Sequence, residues 1–142
     1  MTMLRSLGIL TLICAGFGCG MADESNTPQA QAATKAAAAW FTLADAGNYT
    51  GNWDSAAAYF RNAVSKEDWV KSMTAFRAPM GKVVSRQVKQ SRNATTLPGV
   101  PDGQYVLIRY DTSFENKKSA VETATVMLET NNEWRVSGYF IQ

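Results

Sequence analysis

Histidine is absent from the 142 residues. That removes the side chain most often used as a general base near neutral pH, and the commonest ligand of transition metals. Cysteine is almost absent too, with only Cys14 and Cys19, both close to the N-terminus. A large excess of one charge is also missing: 14 basic residues face 12 acidic ones, for a formal charge of +2. A protein that neutralises a row of phosphates carries a far larger basic surplus, so nucleic acid is not an expected partner. No glycine-rich phosphate loop follows a strand, and no paired-acid motif stands out. What the chain does have is apolar content, 46% of its residues against 18% charged, enough for one globular domain and too little length for two cores.

Residues 1 to 22 read as a leader. Arg5 precedes the apolar run Leu7 to Phe17, about eleven residues, which is the length of a signal-peptide core and well short of the ~20 that span a bilayer. Gly20 and Ala22 are small residues placed for a cut before Asp23, where the chain turns polar at Asp23, Glu24, Ser25 and Asn26. The alternative is lipidation at Cys19: Gly18 before it fits, while Gly16 departs from the branched aliphatic expected three residues ahead. Lipidation would tether the domain to a membrane face, and cleavage at Ala22 would release it. Cleavage leaves roughly 120 residues without a thiol, so neither a disulfide framework nor a cysteine nucleophile is expected in the exported chain.

Beyond a polar linker over 23–32, a single α+β domain is expected over 33–142. Thr27 and Pro28 are an N-cap followed by proline at the first helical position, and Ala33, Ala36, Ala37, Trp40 and Ala44 recur at helical spacing until Gly47. A second helix is expected to carry Trp53, Ala56, Ala57, Phe60 and Val64, capped near Asn52. A third opens at Ser65 with Asp68, carries Trp69, Met73, Phe76 and Met80 on one side, and stops at Pro79 and Gly81. The second half then changes period from near four to two. Strands are expected over Lys82–Arg92, Tyr105–Phe114, Ser119–Glu129 and Trp134–Ile141, with Val106, Ile108, Tyr110 and Phe114 marking the inner face of the second. The third carries Val121, Val126 and Leu128, and the fourth has Trp134, Val136 and Phe140 on one face. Helices followed by consecutive strands on short turns imply an antiparallel meander, since no helix remains for a parallel crossover. This order is that of cystatin-like and nuclear-transport-factor-2-like shapes.

Several strings carry a resemblance. They are Trp40 with Asp45-Ala46-Gly47-Asn48-Tyr49, Arg77-Ala78-Pro79-Met80-Gly81 with Arg86, and Leu97-Pro98-Gly99-Val100-Pro101-Asp102-Gly103-Gln104-Tyr105. Thr112 to Lys118 with Glu122, and Trp134-Arg135-Val136-Ser137-Gly138-Tyr139, complete the set. In this order they resemble the exported bacterial family called domain of unknown function 4019. The resemblance implies a bacterial, exported, single-domain protein and supplies no catalytic residue.

Three groups of residues are candidate sites. Arg77, Arg86, Asp111, Lys117 and Glu122 are the main polar constellation: Arg77 and Arg86 could hold a carboxylate or phosphate by forked hydrogen bonds, or Arg77 could simply cap a helix and Glu122 pair with Arg109, Arg86 or Lys117. The aromatics of the helical half could line a cavity, and an acid such as Asp45 or Asp111 beside a tyrosine would allow proton transfer without histidine; core packing is the plainer use of both. The loop from Leu97 to Gly103 could present Leu97 or Val100 to a partner, or only hold two strands in register. No cofactor and no metal are called for. The expectation is a non-enzymatic binding or interaction module of the periplasm or cell envelope, whose partner is a protein or small molecule. Membrane attachment is expected only through Cys19. The alternative is a ligand-binding or enzymatic pocket between helices and sheet.

Overall fold

The computed structural model describes residues 22–142; Cys19 and the leader up to Met21 lie outside the described residues. Four helices come first: α1 (Pro28–Asp45), α2 (Tyr49–Asp54), α3 (Ala58–Ala63) and α4 (Lys66–Phe76), then a single 3-10 turn over Ala78–Met80. Four strands follow: β1 (Val83–Ala94), β2 (Tyr105–Phe114), β3 (Lys117–Leu128) and β4 (Trp134–Ile141). They form one antiparallel sheet in the order β1-β2-β3-β4, the expected α+β meander. Among the described residues, no helix is long and apolar enough to cross a membrane.

Local chemistry sets the helix ends. Thr27 Oγ1 accepts from Ala30 N at 3.2 Å, and Pro28 occupies the first helical position where no donor is needed. Ser65 does the same for α4, accepting from Asp68 N at 3.1 Å. The expected second helix is instead two short ones. Ala57 N donates to Val136 O of β4 at 2.8 Å, which takes that amide out of the helical ladder and breaks the helix between α2 and α3. The cap of α2 is Asn48, accepting from Gly51 N at 3.0 Å.

Asn52, expected as that cap, is instead fully buried. Its Nδ2 donates to Trp40 O at 3.0 Å and its Oδ1 accepts from Trp69 Nε1 at 2.8 Å, so one side chain ties α1, α2 and α4 together.

The core lies between α1 and the inner face of the sheet. Alanines 30, 33, 37 and 44 let the helix approach closely, and Trp40 and Phe41 meet Tyr110, Trp69 and Tyr139 with ring centroids 5.1 to 6.0 Å apart. Strand parity sorts the apolar residues of the last two strands and corrects one assignment. On β3 the inner positions are Ala120, Glu122, Ala124 and Val126, so Val121 faces the other way. On β4 the pairing jumps from Val126↔Val136 to Thr125↔Gly138, leaving Ser137 as a bulge. One extra residue inverts the alternation, so Tyr139 packs on the core and Phe140 is 58% exposed. Phe76 at the end of α4 is likewise exposed, because the next residue, Arg77, takes the inward position.

The segment expected as a linker is partly structured. Residues 28–32 are the first turns of α1, and Glu24 N donates to Ser91 O at 2.8 Å while Ser91 N donates to Asp23 Oδ1 at 3.1 Å. Asp23 and Glu24 thus cover part of the outer edge of β1, which would otherwise offer unpaired backbone groups.

Candidate functional site

Glu122 shares its strand face with Ala120, Ala124 and Val126 and is 0% exposed. A carboxylate removed from water must be paired and hydrogen-bonded, and four donors converge on it. Arg86 Nε donates to Oε1 at 2.8 Å and Arg86 Nη2 to Oε2 at 3.3 Å. Thr112 Oγ1 donates to Oε1 at 2.6 Å, and the Tyr139 hydroxyl donates to Oε2. Arg86 stands opposite Thr112 in the β1–β2 register and Glu122 stands opposite Tyr110 in the β2–β3 register, so the ion pair reaches across the intervening strand.

The second half of the guanidinium fork meets α1. Arg86 Nη1 donates to Asp45 Oδ2 at 2.8 Å and Nη2 to Oδ1 at 3.0 Å. Asp45 also accepts from Arg77 Nη2 at 3.2 Å, and Arg77 Nη1 donates to Gly81 O at 2.7 Å. The planes of the cations lie on rings: Arg86 sits 4.0 Å above Phe41 and Arg77 4.5 Å above Phe114. Two cations and two anions therefore form a chain, Glu122–Arg86–Asp45–Arg77, that links β3, β1, the C-terminus of α1 and the C-cap of α4.

Burial opposes the charge on Arg86, but hydrogen bonds to Asp45 and Glu122, and the charges of both, more than offset it and hold the guanidinium above its ordinary range. Burial pushes the Tyr139 hydroxyl up, and the neighbouring Glu122 charge adds to the effect. Tyr110 is raised chiefly by burial as well. Both phenols keep their protons at neutral pH. The acids of the network are occupied by cations and hydroxyls, and the tyrosine beside Glu122 already gives it its hydrogen.

Of the candidate residues, Arg77, Arg86 and Glu122 come together, while Asp111 and Lys117 do not join them. Asp111 is on the opposite face of β2, exposed and 3.8 Å from Lys89 Nζ. Lys117 is at the β2–β3 turn, paired with Phe114. Arg77 does not cap the last carbonyls of α4 with its side chain; it reaches forward to Gly81 and across to Asp45. Asp45 was missed as the member that joins the two arginines, and nothing in its local sequence signals it, since its partners lie 32 and 41 residues away. The inward place of Glu122 was signalled by the alternation Ala120, Glu122, Ala124, Val126. Leu97 and Val100 are half-buried in a loop pinned by Tyr59 Oη donating to Gly99 O at 3.1 Å, Tyr105 Oη to Pro101 O at 2.5 Å and Gly103 N to Thr95 O at 3.0 Å. Among the described residues no cluster of three histidine, cysteine, aspartate or glutamate side chains could hold a metal.

Surface concavities border this core. A groove of about 660 Å³ runs between α1 and the start of β4, lined by Lys35, Ala36, Ala39, Trp40, Leu43 and Trp134 among others. Trp40 is 2% exposed, and its indole N–H has no acceptor among the described residues. A smaller cleft of about 280 Å³ lies beside Asp45 and Arg86 and is bounded by Ala38, Val88 and Tyr110, whose buried hydroxyl likewise has no partner among the described residues.

No curated protein and no solved structure matches the chain. The family described as protein of unknown function, DUF4019, matches residues 36–139, a span that holds all four members of the Glu122–Arg86–Asp45–Arg77 chain, and the protein belongs to that family.

Proposed function

We propose that this protein is an exported, non-enzymatic binding module of the bacterial periplasm or cell envelope, released by cleavage before Asp23. The observation that carries this reading is how hydrogen-bonding capacity is distributed. The groups that could do chemistry are saturated: Glu122 has four donors and Asp45 has three. Unmet capacity stays instead on buried groups outside the network, among them the Trp40 indole N–H and the Tyr110 hydroxyl, whose residues border the groove and the smaller cleft. An apolar concavity suits recognition of a ligand, whereas a general base needs a lone pair free to take a proton.

The export reading rests on Arg5, the Leu7–Phe17 run and the Gly20-Met21-Ala22 sequence before Asp23. Mass spectrometry of the protein recovered from a producing bacterium tests it. A first residue of Asp23 supports release, an acylated Cys19 makes it an anchored module, and an intact Met1 in the cytoplasm overturns export. Binding is tested by thermal-shift screening of the recovered protein against small amphiphiles and by capture of envelope proteins on it; one saturable stabiliser or partner, lost on filling the groove with Ala39→Leu, supports the module. Turnover of a screened compound that stops in Glu122→Gln would overturn the non-enzymatic reading.

A further inference from the structure

We infer that a further cleft, between the start of α1 and the sheet end where β1 stops and β2 begins, binds a neutral saccharide, a site and ligand class that go beyond the binding-module reading. Its volume of about 590 Å³ is within the ~300–1,000 Å³ of small-molecule sites. Among the described residues, none that lines it is charged. Glu24, Arg92, Asp102 and Glu133 are close in sequence, and each is directed elsewhere. Glu24 accepts from Asn93 N at the outer edge of β1, and Arg92 stands opposite Leu107 on the other face of the sheet. Asp102 borders a different concavity, and Glu133 pairs with Arg135 at 2.6 Å. A charged ligand would lose its hydration in the cleft with no counter-charge to replace it.

What the cleft offers instead is amides, hydroxyls and one aromatic surface. Gln29, Thr95, Thr96 and Gln104 line it, are exposed, and make no side-chain hydrogen bond among the described residues, so each can turn to an occupant. Amides and hydroxyls donate as well as accept. Trp134, half-buried, borders the same cleft and adds a flat apolar surface. A wholly apolar occupant would take water from those amides and leave them unpaired. A peptide main chain pairs best with free backbone, but Thr95 O already accepts from Gly103 N and Gln104 O from Leu128 N, both at 3.0 Å. A sugar ring meets the whole set: hydroxyls around its rim that donate and accept, C–H groups on its faces that lie against an indole, and no charge. The walls are held before binding, since Asn93 Nδ2 donates to Thr27 Oγ1, the N-cap of α1, at 3.1 Å and fixes the start of that helix against β1.

The test is a titration of the full exported protein, labelled with nitrogen-15, following the Trp134 indole N–H resonance, which is identified by its loss in Trp134→Phe. The probes are chitotriose and maltotriose as neutral trisaccharides, trigalacturonate as a charged one, and acetyl-tetraalanine amide as a neutral peptide. At least one neutral trisaccharide moves the resonance and saturates. Gln29→Ala combined with Gln104→Ala, both exposed positions, weakens that sugar by about tenfold or more, as the loss of two hydrogen bonds requires. Ala39→Leu, which fills the neighbouring groove, leaves its affinity unchanged. A preference for chitotriose makes an acetamido-bearing wall glycan the source and a preference for maltotriose a soluble oligosaccharide; both support the site. Should Trp134→Phe fail to fold, calorimetric titration of the wild type and the two-glutamine variant gives the same comparison. Trigalacturonate bound as tightly as the neutral sugars overturns the charge reasoning, and the peptide bound as tightly gives the cleft to a peptide. A shift abolished by Ala39→Leu and untouched by the glutamine substitutions moves the site to the groove and overturns the assignment. No response to either neutral trisaccharide overturns the proposal, while the binding-module reading stands or falls separately on the thermal-shift and capture test of the groove.

Discussion

Removing Arg86 leaves Glu122 inside the sheet without a cation, and the size of that effect can be worked from the geometry. Glu122 is 0% exposed and Arg86 is its only charged partner among the described residues, with two hydrogen bonds between them. Deleting one member of a buried pair costs about 3–5 kcal/mol, because the survivor keeps its desolvation penalty. Arg86→Ala also strips one partner from Asp45, but that side chain is 28% exposed and keeps Arg77 at 3.2 Å, so its share is small. Glu122→Ala is milder for the charge it strands, since Arg86 retains both hydrogen bonds to Asp45 and is 14% exposed.

The double variant Arg86→Ala, Glu122→Ala removes the stranded charge altogether and should be less destabilised than the sum of the two singles by about 2–3 kcal/mol, within the range of directly interacting residues. Urea melts of the four proteins, fitted with a common slope, give the cycle. Additivity within about 0.5 kcal/mol, or a cost for Arg86→Ala below about 1 kcal/mol, would refute the claim that this pair is the electrostatic centre of the fold. A loss of that size also means that any reduced ligand binding in Arg86→Ala reports instability, so the two forks of Arg86 hold the protein's own carboxylates.

The remaining predictions concern single side chains. Tyr110→Phe removes a buried hydroxyl with no partner among the described residues and should be neutral or stabilising by up to about 1 kcal/mol at pH 7, measured by chemical denaturation. Tyr110 and Tyr139 have raised pKa values in the folded chain, so the unfolded chain releases their protons first, above its ordinary value of 10.0. Their stabilising contribution is therefore complete below pH 10 and is lost as pH rises further, by about 1.4 kcal/mol per unit for each tyrosine. The alkaline slope of stability should flatten in Tyr110→Phe, and an unchanged slope would contradict the burial argument. Asn52→Ala leaves the Trp69 indole N–H unpaired, removes the second hydrogen bond to the Trp40 carbonyl and opens a cavity, for a cost of about 3 kcal/mol in thermal or urea melts. Gly81→Ala and Gly99→Ala both place a β-carbon at φ +77, but only at Gly81 does it meet Asn116 and Glu115 at 3.1 Å. Gly99→Ala should cost about 1 kcal/mol and Gly81→Ala clearly more.

Periodicity and punctuation were sufficient for the elements. Thr27-Pro28, Ser65 and Gly47 act through bonds to residues within a few positions, and β2 and β4 begin and end where alternation starts and stops. The same local information determined the meander, because strands joined by short turns have no other neighbour to pair with. The absence of histidine, and of any thiol beyond Cys19, is read from the sequence alone.

What only the tertiary structure decided is where long-range partners compete with local pattern. The amide of Ala57 goes to β4 and splits a helix that its own spacing would continue, and the Ser137 bulge turns Tyr139 inward at the expense of Phe140. Asp45 meets Arg86 from 41 residues away, and no spacing rule links them. The unmet N–H of Trp40 is likewise invisible in sequence, since a tryptophan at helical spacing reads as core. It is core, and only the packing of the tertiary structure shows that it also borders a groove and that its N–H has no acceptor among the described residues.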